Sequence, residues 1–194
     1  MHDLFEFIAR FILFAALHSF LAMQRVQEFL KSRMGSLASS YRLMYNILAL
    51  ATFGWAMNVY HDSPTLYQLP EIAQPVGFIG QGIMLALLCT CAAQTGIGDF
   101  LGFSPLRNRI TTPILITSGC YGKVRHPQYL LAMLFLLFTP TMTVRWAALT
   151  LLSAVYFIFG AIIEERRLIG IFGDSYRGYQ MRVRMFFPIP KRRS

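Results

Sequence analysis

Charge is what this 194-residue chain has least of: Asp, Glu, Lys and Arg together make up 14% of it, against roughly a quarter in soluble proteins. Acids are the scarcer sign, nine against eighteen bases, which leaves a formal net charge of +9. With a hydrophobic fraction of 55%, that shortage excludes intrinsic disorder and argues against an ordinary soluble globule. Cysteine occurs only three times, as Cys89, Cys91 and Cys120. The first two sit inside an apolar run with no histidine cluster nearby, so buried small residues are expected rather than a zinc site or a disulfide framework. The opening Met1-His2-Asp3 with Glu6 is no basic leader, so a cleaved signal peptide is not expected. A P-loop, a GxGxxG fingerprint, a Ser–His–Asp set, internal repeats and low-complexity stretches are all missing.

What is present is apolar bulk: 17 Phe, 9 Tyr and 10 Met, with a mean hydropathy of +0.48. A membrane span needs roughly 20 mostly apolar residues, about 17 at the least. Residues 4–23, 43–59, 76–93, 129–140 and 144–163 are the candidates, the fourth lengthened by its flanks and turned into the fifth at Pro140 and the Thr-rich stretch after it. The fold class expected is all-α: a polytopic integral membrane protein of five transmembrane helices with a C-terminal helical hairpin and a cytoplasmic amphipathic segment. One domain over 1–194 is expected, with three N-terminal spans in 1–93 and, in 94–194, a loop, the hairpin and the functional C-terminal segment. Sixteen of the eighteen bases fall in the first and third connections and after the fifth span, whereas 60–75 has none. By the positive-inside rule the N-terminus is outside and the C-terminus cytoplasmic. Tyr41, Tyr45, Trp55, Tyr60 and Trp146 suit an interfacial belt. The basic excess needs no nucleic acid to explain it.

Smaller features have local explanations. Gly77, Gly80 and Gly82 permit close helix packing. Glu6 and Arg10 are i, i+4 partners, and His18 reads as a packed, hydrogen-bonded histidine. Asn46 and Asn58 read as interhelical bonding groups. The Gly-rich stretch 94–110 suits a re-entrant or interfacial loop.

Three stretches stand apart from a plain helical bundle. Ser118-Gly119-Cys120-Tyr121-Gly122-Lys123-Val124-Arg125-His126-Pro127-Gln128-Tyr129 precedes the fourth span, with Pro127 suited to a first helical turn. Arg125, His126 and the backbone N–H groups of that helix start form either an anion seat or a membrane-interface anchor. Glu164-Glu165-Arg166-Arg167 follows the fifth span, where two acids at a helix C-terminus oppose its dipole. They are either a solvated charge cluster or a cation site, in which Glu165 is favoured to face the pocket. Phe172-Gly173-Asp174 reads as a helix stop, followed by a short amphipathic helix carrying Tyr176 and Tyr179, with Pro188 and Pro190 closing the ordered part before the basic tail.

In fixed order these stretches spell G-x-Y-x-x-V-R-H-P-x-Y and then E-E-x-x-L-x-x-x-F-G-x-x-Y-x-x-Y. Over about residues 117–190 this resembles the isoprenylcysteine carboxyl methyltransferase family, including its small five-span archaeal members, and much of it is shared with phospholipid N-methyltransferases. The departures are Cys120, where G-P-Y is usual, and Leu131, where a glycine often follows. The resemblance implies S-adenosylmethionine as methyl donor, S-adenosylhomocysteine as product and no metal. It implies a cofactor site drawn from Tyr121, Lys123, Val124, Arg125, His126, Pro127, Tyr129, Glu164, Glu165, Tyr176 and Tyr179. Arg125, Glu165, Arg166 and Arg167 are the catalytic candidates, Arg166 or Arg167 to orient an anionic acceptor. The donor's carboxylate suits Arg125 and His126, its ammonium or hydroxyls an acid such as Glu165, and its adenine or sulfonium Tyr121 and Tyr129. The acceptor implied is lipophilic and enters from the bilayer among membrane lipid, a carboxylate as in isoprenylcysteine methylation. The alternatives are an amine or phospholipid acceptor, an NADPH-dependent sterol-type reductase, and a non-enzymatic scaffold.

Overall fold

Apolar helices carry nearly all of the architecture. The computed structural model describes residues 2–59, 61–96, 98 and 114–188. Most of the 94–110 loop, Tyr60, Pro190 and the basic tail 191–193 lie outside the described residues. The chain forms two compact units, one of residues 1–64 with 96–112 and one of 65–95 with 113–194.

In the first unit α1 (His2–Ala22) packs against α3 (Tyr41–Met57), with the polar helix α2 (Gln24–Met34) between them in sequence. Phe7, Phe11 and Ala56 are buried, and Phe14 meets Phe53 edge to face at 5.3 Å. Several polar side chains of these apolar helices find partners inside the unit. The Tyr41 hydroxyl donates to the Leu21 carbonyl at 2.7 Å, and Tyr45 and His18 share a hydrogen bond of 2.6 Å. Arg10 pairs with Glu6, donates to the Trp55 carbonyl and lies 4.7 Å from the Trp55 ring centre. Asn58 approaches His61 at 3.4 Å, a contact just beyond its own helix end and not the interhelical bond expected.

The second unit contains α4 (Gln74–Gln94), α5 (Pro127–Leu137), α6 (Val144–Phe172) and α7 (Asp174–Arg182). A two-stranded antiparallel ribbon, β1 (Thr65–Gln68) with β2 (Thr141–Thr143), adds a feature that the all-helical expectation lacked. Thr143 caps α6, accepting the Trp146 N–H at 3.2 Å. The start of α4 lies against the end of α5: a Cβ on Gly77 would sit 3.0 Å from the Phe138 carbonyl, and one on Gly80 2.6 Å from the Phe138 ring. Gly82 has open space, so only two of the three glycines serve close packing.

Among the described residues three helical segments, His2–Ala22, Glu71–Gln94 and Val144–Phe172, are long and apolar enough to cross a membrane. The other two expected spans correspond to shorter helices, α3 of 17 residues and α5 of 11. At 29 residues α6 is roughly 43 Å long, more than the hydrocarbon layer requires. It ends at Gly173, whose φ of +55° and N–H bond to the Ile169 carbonyl stop the helix. Glu164 and Glu165 therefore lie about two turns inside α6 and not at its C-terminus, and the dipole objection to them does not apply.

These glycine environments set opposite signs for one substitution. G77A and G80A are expected to lower the detergent-solubilised melting temperature by the equivalent of about 1–3 kcal/mol of overpacking. G82A is expected to leave it unchanged or raised, since alanine exceeds glycine in helix propensity by about 1 kcal/mol.

Candidate active site

The site assembles where the segment before α5 meets the last third of α6 and the chain after α7. Pro127 takes the first helical position of α5, where its missing N–H leaves no bond unmade. Just before it, the Arg125 N–H donates to the Arg184 carbonyl at 2.9 Å and the His126 N–H to the Met185 carbonyl at 3.1 Å. The chain after α7 is thereby laid along the Arg-His-Pro segment, and the Phe186 ring rests against His126, centres 5.8 Å apart.

Arg125 is occupied by the protein itself. Its Nε donates to Glu165 Oε1 at 2.6 Å, and its Nη1 donates to the Gln180 carbonyl at 3.3 Å and to the Val183 carbonyl. The two charged side chains are 8% and 10% exposed, so this ion pair is sealed from water. Gln180 Nε2 donates to Glu165 Oε2 at 2.7 Å, and His126 Nε2 lies 3.2 Å from Oε1. Every oxygen of Glu165 is thus matched, as an interior carboxylate requires.

Glu164 faces outward. It is 46% exposed, accepts the Tyr129 hydroxyl at 3.1 Å and lies 3.6 Å from His126 Nδ1. Tyr129 is sandwiched between two rings: His126 at 5.5 Å with a 4° interplanar angle, and Phe157 of α6 at 5.1 Å with 8°. The hydroxyl it presents to Glu164 is therefore held rigidly. With Arg125 cancelled by Glu165, the excess charge of the cluster is the Glu164 carboxylate. A carboxylate there suits positive or hydroxyl-bearing groups, and the Arg167 charge already acts on it.

The remaining candidates fall into two sets. Val124, Tyr176 and Tyr179 are buried, and the Tyr179 hydroxyl donates to the Tyr121 carbonyl at 2.5 Å. Lys123, Arg166 and Arg167 are exposed, and the Arg167 charge acts on Glu164. Burial pushes the Tyr121 phenol up to about 12, helped by the Glu164 charge. Burial also raises Tyr179 to about 12 and moves Tyr176 in the same direction. Sequence reasoning gave no role to Gln180, the residue after Tyr179, nor to Phe157, whose ring is indistinguishable in sequence from its apolar neighbours. It also discounted any disulfide, because Cys89 and Cys91 sit in an apolar run, and expected both to be buried; Cys91 is instead bonded to Cys120, their Cα atoms 5.7 Å apart, and Cys89 is free and exposed.

Removing one partner of the buried pair is expected to cost more than removing both. R125A or E165A alone should destabilise by about 3–5 kcal/mol, because each strands a buried charge. The R125A/E165A double variant should lie well below their sum in thermal unfolding, and additive losses would show that the pair is not coupled. The tyrosines set an alkaline limit. Their folded pKa values lie above the ordinary 10, so their stabilisation is intact below pH 10 and is lost as pH rises through about 12. Phenolate absorbance should show one fewer late-titrating tyrosine in Y179F.

Residues 6–138 match the sequence profile of the family described as NnrU protein, a stretch that includes Arg125–Tyr129 of the site. Among named relatives, the methanethiol S-methyltransferase of Pseudomonas deceptionensis is 38% identical over 88 residues, 45% of this chain and 32% of that protein. Methanethiol S-methyltransferase 1 of Bradyrhizobium diazoefficiens is 29% identical over 188 residues, 91% of this chain and 64% of that one. The protein-S-isoprenylcysteine O-methyltransferase of Schizosaccharomyces pombe is 33% identical over 79 residues, 39% of this chain and 34% of its own. The chain spans between about a third and just under two thirds of the length of these curated relatives. No solved structure matches it. The chain belongs to the NnrU protein family, among membrane proteins akin to the isoprenylcysteine carboxyl methyltransferases.

Proposed function

We propose that this chain is a single-domain, S-adenosylmethionine-dependent membrane methyltransferase that acts on a lipophilic acceptor. The observation that carries the reading is the half-exposed Glu164 carboxylate beside the clamped Tyr129 hydroxyl, on a scaffold whose named relatives are methyltransferases. The donor set fits the cofactor: Glu164 suits its ammonium or ribose hydroxyls, and the ring column at Tyr129 suits a cationic or aromatic surface. Arg125 acts as the tie that holds Glu165 and the C-terminal segment in place, and His126 links the two carboxylates. When bound, the cofactor would supply a methyl group on a sulfonium, activated for in-line displacement.

A thiol is the acceptor best supported, because methanethiol S-methyltransferases recur among the relatives. His126 Nδ1 would take the thiol proton, and burial around Tyr176, Tyr179 and Val124 would exclude water. The fission yeast relative favours a second reading, a prenylcysteine-type carboxylate needing no base, oriented by Arg166 or Arg167. In either case the acceptor enters from the bilayer. The five-span arrangement with the N-terminus outside and the C-terminus cytoplasmic puts the site on the cytoplasmic face, as the bias of basic residues supports.

Calorimetric titration with S-adenosylhomocysteine is expected to show micromolar binding and none for NADPH. E164Q should weaken it about tenfold to a hundredfold, the range for losing a charged hydrogen-bond acceptor. Binding of NADPH alone would overturn the reading in favour of a reductase. Methyl transfer to an alkanethiol that is insensitive to R166A and R167A supports the thiol acceptor. Transfer to S-prenylcysteine alone, with KM raised by either variant, supports the carboxylate.

A further inference from the structure

The loop that leads into the site is fastened at a point that neither the motif nor the proposed chemistry uses. Cys91, in the last turn of α4, is 2% exposed, whereas its partner Cys120 is half-buried in the turn Gly119–Gly122. A second tether joins the same elements: the Cys120 N–H donates to Gln94 Oε1 at 3.1 Å. Gly119, at φ +61°, is pressed so closely to Gln94 that a Cβ would fall 2.4 Å from its amide nitrogen. From the opposite side the Tyr179 hydroxyl grips the Tyr121 carbonyl. The turn is thus held between α4 and α7, and the next residues are Val124, Arg125, His126 and Pro127.

We infer that Cys91–Cys120 is a reversible redox modification site, exchanging with low-molecular-weight thiols, and that its state sets how firmly the 118–126 loop is held and hence how well the site binds its cofactor. The second half of this inference rests on the reading of the loop as part of a cofactor site. The asymmetry of access fixes the route. A thiolate attacks Cys120 Sγ, the Cys91–Cys120 bond breaks, and Cys91 leaves as a thiolate and takes up a proton. A second thiol then attacks the mixed disulfide, which yields free Cys120 and one small-molecule disulfide, and oxidation by that disulfide runs the same steps backwards. On the proposed orientation the junction faces a reducing compartment, where a reachable disulfide is exchanged and not kept permanently.

The test uses the full chain in lipid nanodiscs, as C89S, because Cys89 is free and exposed and would label in every state. After equilibration in glutathione and glutathione disulfide mixtures, alkylation with polyethylene-glycol maleimide is expected to shift the chain by two labels that appear together. Reduction should speed amide hydrogen exchange across 118–126 and weaken S-adenosylhomocysteine binding about tenfold, as when nine in ten loops leave the competent state. C91S/C120S on the same background should behave like the reduced form in both buffers. If that variant does not fold, the oxidised and reduced forms of C89S carry the comparison. Identical exchange in the two redox states overturns the inference, as does failure of the thiols to pair under glutathione disulfide. Redox-dependent exchange with no S-adenosylhomocysteine binding in either state upholds the loop device and sinks the cofactor reading instead.

Discussion

The Arg125–Glu165 pair is the contact on which the second unit depends. Two charges withdrawn from water are costly unless each finds the other and every remaining donor and acceptor is also matched. Here that matching draws in three separate pieces of chain: the carboxylate comes from α6, the guanidinium from the segment before α5, and the remaining acceptors and donor from Gln180 and Val183. The requirement to satisfy one buried arginine therefore fixes where α7 and the residues after it lie. It also shapes the electrostatics of the site, because an Arg125 committed to Glu165 leaves Glu164 as the outward-facing charge of the cluster.

Stacking completes what the ion pair begins. His126, Tyr129 and Phe157 form a column of near-parallel rings running from the Arg-His-Pro segment into α6. Such a column resists rotation of its middle member, which is the residue whose hydroxyl reaches Glu164. The outward carboxylate is held by a side chain that has little freedom to follow it.

The helices and the motif residues were legible in the sequence because apolar runs and rare residue clusters are local signals. Pairings were not. Arg125 and Glu165 both stand out by type, yet nothing in their spacing of forty residues says that they neutralise each other and not a ligand. The Phe172-Gly173-Asp174 stop was legible, but the acids at 164 and 165 were read as terminal because apolarity ends at 163, which marks where a membrane would end and not where a helix does. Arg166, Arg167 and Leu168 continue the helix readily, and the stop waits for Gly173. Strands of four and three residues are too short to display a two-residue period, so the ribbon had no signature. The disulfide depends on α4 and the turn before α5 meeting at their ends, a tertiary fact that composition does not contain.

The unbroken course of α6 has a mechanical consequence. Trp146, near its capped start, and Glu164 are eighteen residues apart, about 27 Å of rigid helix, close to the thickness of a hydrocarbon layer. No proline or glycine pair interrupts that stretch to absorb a change in inclination. A thinner bilayer tilts a helix of this length. That tilt would swing the carboxylates and Phe157 together as one lever arm, which couples the geometry of the chemistry to the lipid chain length around it.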